Sequence, residues 1–223
     1  PTNSPKQCLY NYALISNEMT SSLLITKPIV CKTQRDQLGF DRQTQRLLSF
    51  RAMELPKQEF IASTSEHPVF VIQYLDQRRQ YQQLTSHQAA SLSTRIETDG
   101  DGTILTAVFR RIAGFDLEVA TRVRLSASDP LSRWTITVRN EAGIEIVDVQ
   151  YPFVVCPYQL GGRVGTEAVL LPHNFGQLIV SPTFEKLGPD CPMAWQLNRE
   201  NGGCFHYPGG QFAQFLAYFN NQA

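Results

Sequence analysis

Arg133-Trp-Thr-Ile-Thr-Val-Arg-Asn140 opens the stretch, residues 133–182, that decides the fold class of this chain. Within it, Trp134, Ile136 and Val138 alternate with polar residues. Because successive side chains of a strand point to opposite faces, this alternation is typical of a strand with one buried and one solvated face.

The apolar positions change parity after a short turn at residues 141–143. Ile144 and Ile146 fall on one parity, whereas the apolar residues after them fall on the other: Val147, Val149, Tyr151, Phe153 and Val155. A strand keeps its apolar face only if an extra residue absorbs such a change. The sequence therefore predicts a β-bulge near Ile146.

Other β-rich runs are short, and turn-forming residues separate them. Asp99-Gly-Asp-Gly102 predicts the turn of a hairpin between residues 92–98 and 103–110. Further strands are predicted over residues 9–15, 23–31, 46–53, 68–75 and 117–125. Many strands with hardly a helix indicate an all-β fold, a large two-sheet antiparallel β-sandwich.

Two segments are less regular. Residues 76–90 are rich in Gln and Arg with few spaced apolar residues, and they predict a loop or one marginal helix. Residues 209–223 fit either a helix or a strand, and the strand is the preferred interpretation.

Composition bounds the class of protein. The chain has 223 residues, 42% of them hydrophobic, and a formal net charge of zero. This length fits one domain over residues 1–223. A balanced charge argues against a nucleic-acid partner, and the apolar runs are too short to cross a membrane. The chain opens at Pro1 without a recognisable leader, so a secreted or periplasmic location stays open.

Residues that could hold a metal or a cofactor are dispersed. The five cysteines form no C-x-x-C pair, and Val154-Val-Cys156 suggests thiols that pack as small buried hydrophobes. The four histidines show no ligand spacing, and Asp99–Gly102 lacks the further carboxylates of a calcium loop. We therefore predict no metal and no cofactor.

Catalytic motifs are also missing. The chain has no Gly-x-Ser-x-Gly elbow, and the glycines of residues 161–165 lack the rest of a nucleotide fingerprint. A glycosidase needs two carboxyl groups that face each other across a sugar. Glu141, Glu145, Asp148 and Glu167 are interpreted as surface or rim groups, so no catalytic residue is predicted.

Several motifs in the second half resemble a family of glycoside hydrolases. They are Trp134-Thr-Ile-Thr-Val-Arg-Asn140, Val147-Asp-Val-Gln-Tyr-Pro-Phe153, Glu167-Ala-Val-Leu-Leu-Pro172, Gly176-Gln-Leu-Ile-Val-Ser-Pro182, Tyr207-Pro-Gly-Gly-Gln-Phe212 and Ala217-Tyr-Phe219. The resemblance is to the N-terminal β-supersandwich domain of these enzymes, whose plan is similar to α-galactosidase-like and endo-α-N-acetylgalactosaminidase-like enzymes. It covers about residues 130 to 219.

The resemblance implies a galactose-mutarotase-like supersandwich that packs on a downstream catalytic (β/α)8 barrel, which this chain would lack. The catalytic carboxylates would lie on that barrel, and the full-length protein would bind a carbohydrate. Aromatic faces stack on sugar rings and polar groups read hydroxyls. The tentative sugar contacts are residues in predicted loops: Tyr158, His173, Asn174, Trp195 and Tyr207.

Three functions remain open at this point. The first is the non-catalytic N-terminal domain of a glycoside hydrolase, which supports the barrel and its carbohydrate-binding cleft. The second is a stand-alone carbohydrate-binding module. The third is an aldose-epimerase-like enzyme, because mutarotases share the supersandwich architecture, although fold analogy alone does not establish activity.

Overall fold

A computed structural model describes residues 27–62, 66–157, 160, 165–171, 177–180 and 217–220. Nearly every regular element in this part is a strand, in agreement with the predicted all-β class. The elements are β1 (Ile29–Lys32), β2 (Asp36–Phe40), β3 (Leu47–Ala52), β4 (Val71–Leu75), β5 (Tyr81–Thr85), a 3-10 turn (Ser86–Gln88), β6 (Ala89–Asp99), β7 (Gly102–Ile112), β8 (Leu117–Ser126), β9 (Arg133–Asn140), β10 (Glu145–Gln150), β11 (Glu167–Leu171), β12 (Gln177–Val180) and β13 (Ala217–Asn220). No helix in the described part has the length and apolar content of a membrane span.

The described strands form four antiparallel sheets. Their strand orders are β1-β2-β3, β10-β4-β5, β12-β11-β13 and β6-β7-β8-β9. The four-stranded sheet contains the longest strands, and β7 and β8 lie in its centre. It is the common layer on which two of the other sheets pack.

The first core cluster joins the four-stranded sheet to the sheet of β4. Phe70, Ile72 and Leu84 pack there against buried residues of β7 and β8, including Phe109 and Val119. The rings of Phe70 and Phe109 meet edge to face, with centroids 5.1 Å apart. Each fully buried large apolar side chain contributes about 1.5–3 kcal/mol.

The second core cluster joins the same sheet to β1 and β2. Cys31, Leu38 and Phe40 pack there against Leu105 of β7 and Val123 of β8. In the sheet register Leu105 lies opposite Val123, and Phe109 lies opposite Val119. Residues two or four positions apart on a strand share a face. Both clusters therefore cover the same face of the four-stranded sheet, as in a β-sandwich.

The deciding stretch folds as its pattern predicts. Exposed side chains of β9, beginning with Arg133, alternate with half-buried ones, beginning with Trp134. The pairing of β10 with β4 shifts register between Ile146 and Asp148, which confirms the predicted β-bulge. Ile146 and Val149 both reach the first core cluster, whereas Val147 is 43% exposed.

The predicted hairpin is also confirmed. β6 and β7 pair from Ala89 with Ile112 to Asp99 with Gly102, and Gly100 has a φ of 58° in the connecting turn. Glycine adopts this left-handed conformation without strain. At Gly102 an added Cβ would lie 2.5 Å from the carbonyl oxygen of Leu125, so glycine fits there for a second reason.

The interpretation of residues 76–90 as a loop or marginal helix is wrong. Residues 81–85 form β5, which pairs with β4, and only Ser86–Gln88 is helical, as one 3-10 turn. Asp76 Oδ1 accepts hydrogen bonds from the backbone N–H groups of Arg78 and Gln80 and so fixes the turn between the strands. Tertiary pairing overrides the favourable helix propensity of the glutamines.

The ends of the chain are described only in part. At the C-terminus, Ala217–Asn220 pairs with β11 as a strand, in agreement with the preferred interpretation. The strand predicted over residues 9–15 lies outside the described residues. Cys31 is buried as predicted, but Cys156 is exposed, so the expectation of a buried thiol is wrong there. β10 ends at Gln150, and residues 151–157 belong to no strand.

Candidate functional site

The tentative sugar contacts Tyr158, His173, Asn174, Trp195 and Tyr207 all lie outside the described residues. Their role as sugar contacts stays a prediction. A site that the structure does describe must therefore be sought in its concave surfaces, three of which border the sandwich.

The first is a cavity of about 30 Å³ between β9 and the segments that flank it. Gln45, His67, Trp134 and Tyr151 contribute to its wall. Gln45 is 4% exposed, and its Nε2 donates to the carbonyl oxygen of Arg42 at 3.4 Å. Gln45 Oε1 and His67 Nε2 are buried without a hydrogen-bond partner in the described part. The cavity suits one water molecule, because sites for small organic ligands measure about 300–1,000 Å³.

The second is a groove of about 480 Å³ at one end of the four-stranded sheet. Cross-strand pairing brings Ser91, Arg110, Glu118 and Arg139 into one row, with one residue from each strand. Arg110 Nε donates to Glu118 Oε2 at 2.8 Å, and Arg110 Nη1 donates to Ser93 Oγ at 3.3 Å. The row presents donors and acceptors side by side on the outer face of the sheet.

The turn between β7 and β8 forms the rim of this groove. Arg111, near the end of β7, and Ala113, in the turn, have φ values of 52° and 51°, and Gly114 has 84°. A non-glycine residue in this region carries a strain of about 1–3 kcal/mol, and such strain concentrates at functional sites. The backbone N–H of Ala113 donates to the carbonyl oxygen of Gln88 at 2.8 Å, which anchors the turn.

The third is a wide depression of about 780 Å³ beside the β4–β5 turn. Its polar groups hold the turn itself: hydrogen bonds from Gln80 and Arg78 help to keep the pKa of Asp76 below its usual value. Arg79, in the same turn, forms an ion pair with Glu145. These contacts leave the second groove as the stronger candidate for a ligand.

The carboxyl groups considered from the sequence do not meet. Glu145 pairs with Arg79, Asp148 accepts a hydrogen bond from Gln150 Nε2 at 3.1 Å, and Glu141 is exposed at the groove. No three His, Cys, Asp or Glu side chains of the described residues are grouped as they would be to hold a metal ion.

The interpretation of Glu167 as a surface or rim group is wrong. It is 1% exposed, and its carboxylate accepts the backbone N–H groups of Leu160 and Gly165, each at 3.2 Å. The Asn220 side chain donates to the same carboxylate at 3.4 Å. A buried carboxylate needs such donors, and here they tie β11 to the preceding loop and to β13.

Two further carboxyl groups have shifted pKa values. Burial raises the pKa of Asp36, which is the direction that a general acid requires. Its cross-strand partner is Ala52 rather than a second carboxyl group. For Glu59, burial acts to raise the pKa, but hydrogen bonds from Ser49, Phe50 and their neighbours outweigh it and lower the pKa.

No sequence motif pointed to the groove. Its residues belong to four strands whose register is fixed only after pairing. The usable signal was the alternation of Glu118, Arg122 and Arg124 with apolar residues along β8.

Comparison with known proteins supports the fold. No protein-family model matches the chain, and no curated protein matches it. Among solved structures it is similar to alpha-N-acetylgalactosaminidase NagBb from Bifidobacterium bifidum, in complex with GalNAc (20% identity) and with Gal-NHAc-DNJ (19% identity). The TM-score is 0.50 in both cases, and the match covers 68% of this chain and 22% of that enzyme. The chain thus shares a fold with a minor part of a glycoside hydrolase.

Proposed function

We propose that this chain is a non-catalytic β-sandwich domain of a glycoside hydrolase, which supports a catalytic (β/α)8 barrel and adds to its carbohydrate-binding cleft. The observation that carries the proposal is the fold shared with 22% of the length of an alpha-N-acetylgalactosaminidase. The remainder of such an enzyme is long enough to contain a barrel of about 250 residues.

The chemistry of the described carboxyl groups favours a supporting role. A glycosidase places two carboxyl groups about 5–10 Å apart around an open site for the sugar. Glu59 and Glu167 instead accept hydrogen bonds from the backbone, and Glu118 pairs with Arg110. Groups used in this way hold turns and strands together.

The aldose-epimerase alternative finds less support. Such an enzyme needs a histidine and a carboxylate that both reach the sugar. Of the described histidines, His67 borders the small cavity, whose lining contains no Asp or Glu. His87 is exposed in the 3-10 turn.

The stand-alone carbohydrate-binding module is a second candidate. The groove at Ser91, Arg110, Glu118 and Arg139 favours it, because its volume lies in the range of ligand sites and its row combines donors with acceptors. A stand-alone module would bind its carbohydrate without a catalytic domain, whereas the supporting domain acts together with one.

The coding sequence downstream of Ala223 is the first test. Several hundred residues of alternating strand and helix, with acidic residues at the strand ends, would support the glycosidase domain. A stop codon within a few residues would contradict it.

Hydrolysis of aryl glycosides then separates the functions biochemically. We expect turnover by the full-length protein and none by residues 1–223 alone. Turnover by residues 1–223 would overturn the non-catalytic role, and an anomer-exchange assay on the same sample tests the epimerase.

A further inference from the structure

The outer face of the four-stranded sheet carries a shallow trough that crosses all four strands. Its floor is a row of small residues that the register places side by side: Ser93, Val108, Ala120 and Thr137. Strands lie about 4.8 Å apart, so the floor extends across roughly 14 Å. The opposite face of this sheet is the one that forms the core.

On each side of this floor lies a row that includes longer side chains. On one side stands the groove row of Ser91, Arg110, Glu118 and Arg139, and on the other the row of Arg95, Thr106, Arg122 and Thr135. The two rows are four residues apart along each strand, or about 13 Å. Five long side chains, four of them arginines, therefore flank a row of four short ones, and Arg110 Nη1 donates a hydrogen bond to Ser93 Oγ at the end of that row.

Some arginines on these walls form ion pairs with glutamates, and others do not. Arg110 pairs with Glu118, and Arg95 pairs with Glu97. Arg122 and Arg139 are exposed, and neither makes an ion pair within the described part. One free guanidinium therefore stands on each wall.

The row beyond Arg122 and Thr135 contains two more arginines. Arg124 and Arg133 lie directly opposite each other on neighbouring strands. Like charges in this position destabilise a sheet. Asp99 and Asp129 form ion pairs with them at 3.1 and 2.8 Å. Arg122 and Arg139 are therefore the arginines of this face without an ion pair in the described part, and Asp116 and Glu141 line the groove beside Arg139.

We propose that this trough binds an acidic glycan, with Arg122 and Arg139 on its carboxylate or sulfate groups and the Ser and Thr hydroxyls on its sugar hydroxyls. Guanidinium groups bind planar oxyanions through paired hydrogen bonds. The inference concerns this chain by itself and holds with or without a catalytic domain.

The composition of the face disfavours other anionic partners. Single-stranded nucleic acid stacks its bases on aromatic side chains, and none of the residues of the floor or walls is aromatic. A stable protein interface has a core of large apolar or aromatic side chains, whereas the largest apolar residue of the floor is Val108. A flexible, hydroxylated polyanion fits a polar trough of this kind.

Binding of defined polysaccharides to residues 1–223 tests the proposal by isothermal titration at low salt. The probes are a polyuronate, a sulfated polysaccharide, neutral dextran and a single-stranded DNA 20-mer. We expect one or both acidic glycans to bind, with the first two probes deciding between carboxylate and sulfate, and no binding of dextran. DNA that binds as tightly as the glycans would overturn the assignment to a glycan.

Two variants locate the site. Arg122→Gln combined with Arg139→Gln should weaken binding at least about tenfold and lower the salt slope by about one per arginine. The matched control, Arg35→Gln with Arg78→Gln, removes two exposed arginines outside this sheet and should have little effect. Equal losses of glycan affinity in the two double variants would contradict the assignment of the trough as the binding site.

A third variant separates the trough from diffuse charge attraction. Ala120→Phe fills the floor without changing any charge, and circular dichroism verifies that it folds. We expect it to abolish glycan binding. Binding that survives in Ala120→Phe would contradict the proposal even if the arginine variant loses affinity.

Discussion

At the scale of single residues, Glu59 shows how a carboxylate can serve the fold rather than chemistry. It accepts hydrogen bonds from Ser49 Oγ at 2.6 Å, Phe50 N at 2.7 Å, Arg51 Nε at 3.0 Å and Ile61 N at 3.2 Å. Together they attach residues 53–61 to β3. The pKa of Glu59 is lowered because these donors stabilise the ionised form of its carboxyl group.

Glu59→Gln should therefore destabilise the protein by about 1–3 kcal/mol at neutral pH, because partly buried donors lose a charged acceptor. The pKa of Glu59 is lower in the folded than in the unfolded state, where it is near 4.5. The contribution of this carboxylate is complete above that pH and is lost as the pH falls through the folded pKa. The difference between Glu59→Gln and wild type should shrink accordingly in urea unfolding between pH 7 and pH 3.

The exposed neighbour Glu54 provides the control. Glu54→Gln should change the free energy of unfolding by less than about 0.5 kcal/mol over the same range. A Glu59→Gln variant whose deficit stays constant with pH would show that the carboxylate charge contributes nothing.

Residue roles were the least predictable part of the sequence. Glu167 stands at the start of a strand, where exposure is the ordinary expectation, and its burial depends on donors from Leu160, Gly165 and Asn220. The last of these lies 53 positions away along the chain. A pattern of neighbouring residues in the sequence therefore cannot predict that contact.

At the scale of elements, patterning predicted strands well wherever one face is buried. The bulge after Ile146 was predictable, because a change of apolar parity has no other solution in a strand. β5 was missed, because Leu84 is its only buried residue and three of the other four are exposed. An edge strand without an alternating pattern gives no period-2 signal.

The bulge makes a matched pair of substitutions informative. Val147→Thr should change the free energy of unfolding by less than about 0.5 kcal/mol, since Val147 is displaced toward solvent. Val149→Thr should cost about 1–3 kcal/mol, because it places a hydroxyl against the first core cluster. Urea unfolding of both variants measures the difference. Equal costs would mean that β10 continues without a bulge in solution.

At the scale of the whole molecule, the sandwich class was predictable, but the division of its layers was not. The turn at residues 141–143 does not close a hairpin. It carries the chain from β9 in the four-stranded sheet to β10 in the opposing layer. Sequence fixes the alternation within each strand, whereas the choice of partner strand depends on which apolar faces meet.

The two core clusters share β7 and β8, so we expect the described sandwich to unfold as one cooperative unit. Val119→Ala and Val123→Ala make the same change on β8, one in each cluster, at side chains that are 0% and 4% exposed. Each should cost about 2 kcal/mol. Because both opposing sheets lose their packing surface when the shared sheet unfolds, each variant should reduce hydrogen-exchange protection equally in β2, which contacts the second cluster, and in β4, which contacts the first. A Val119→Ala variant that weakens β4 while leaving β2 protected would show that the opposing sheets open independently, and the shared sheet would then act as a scaffold for two separately stable halves.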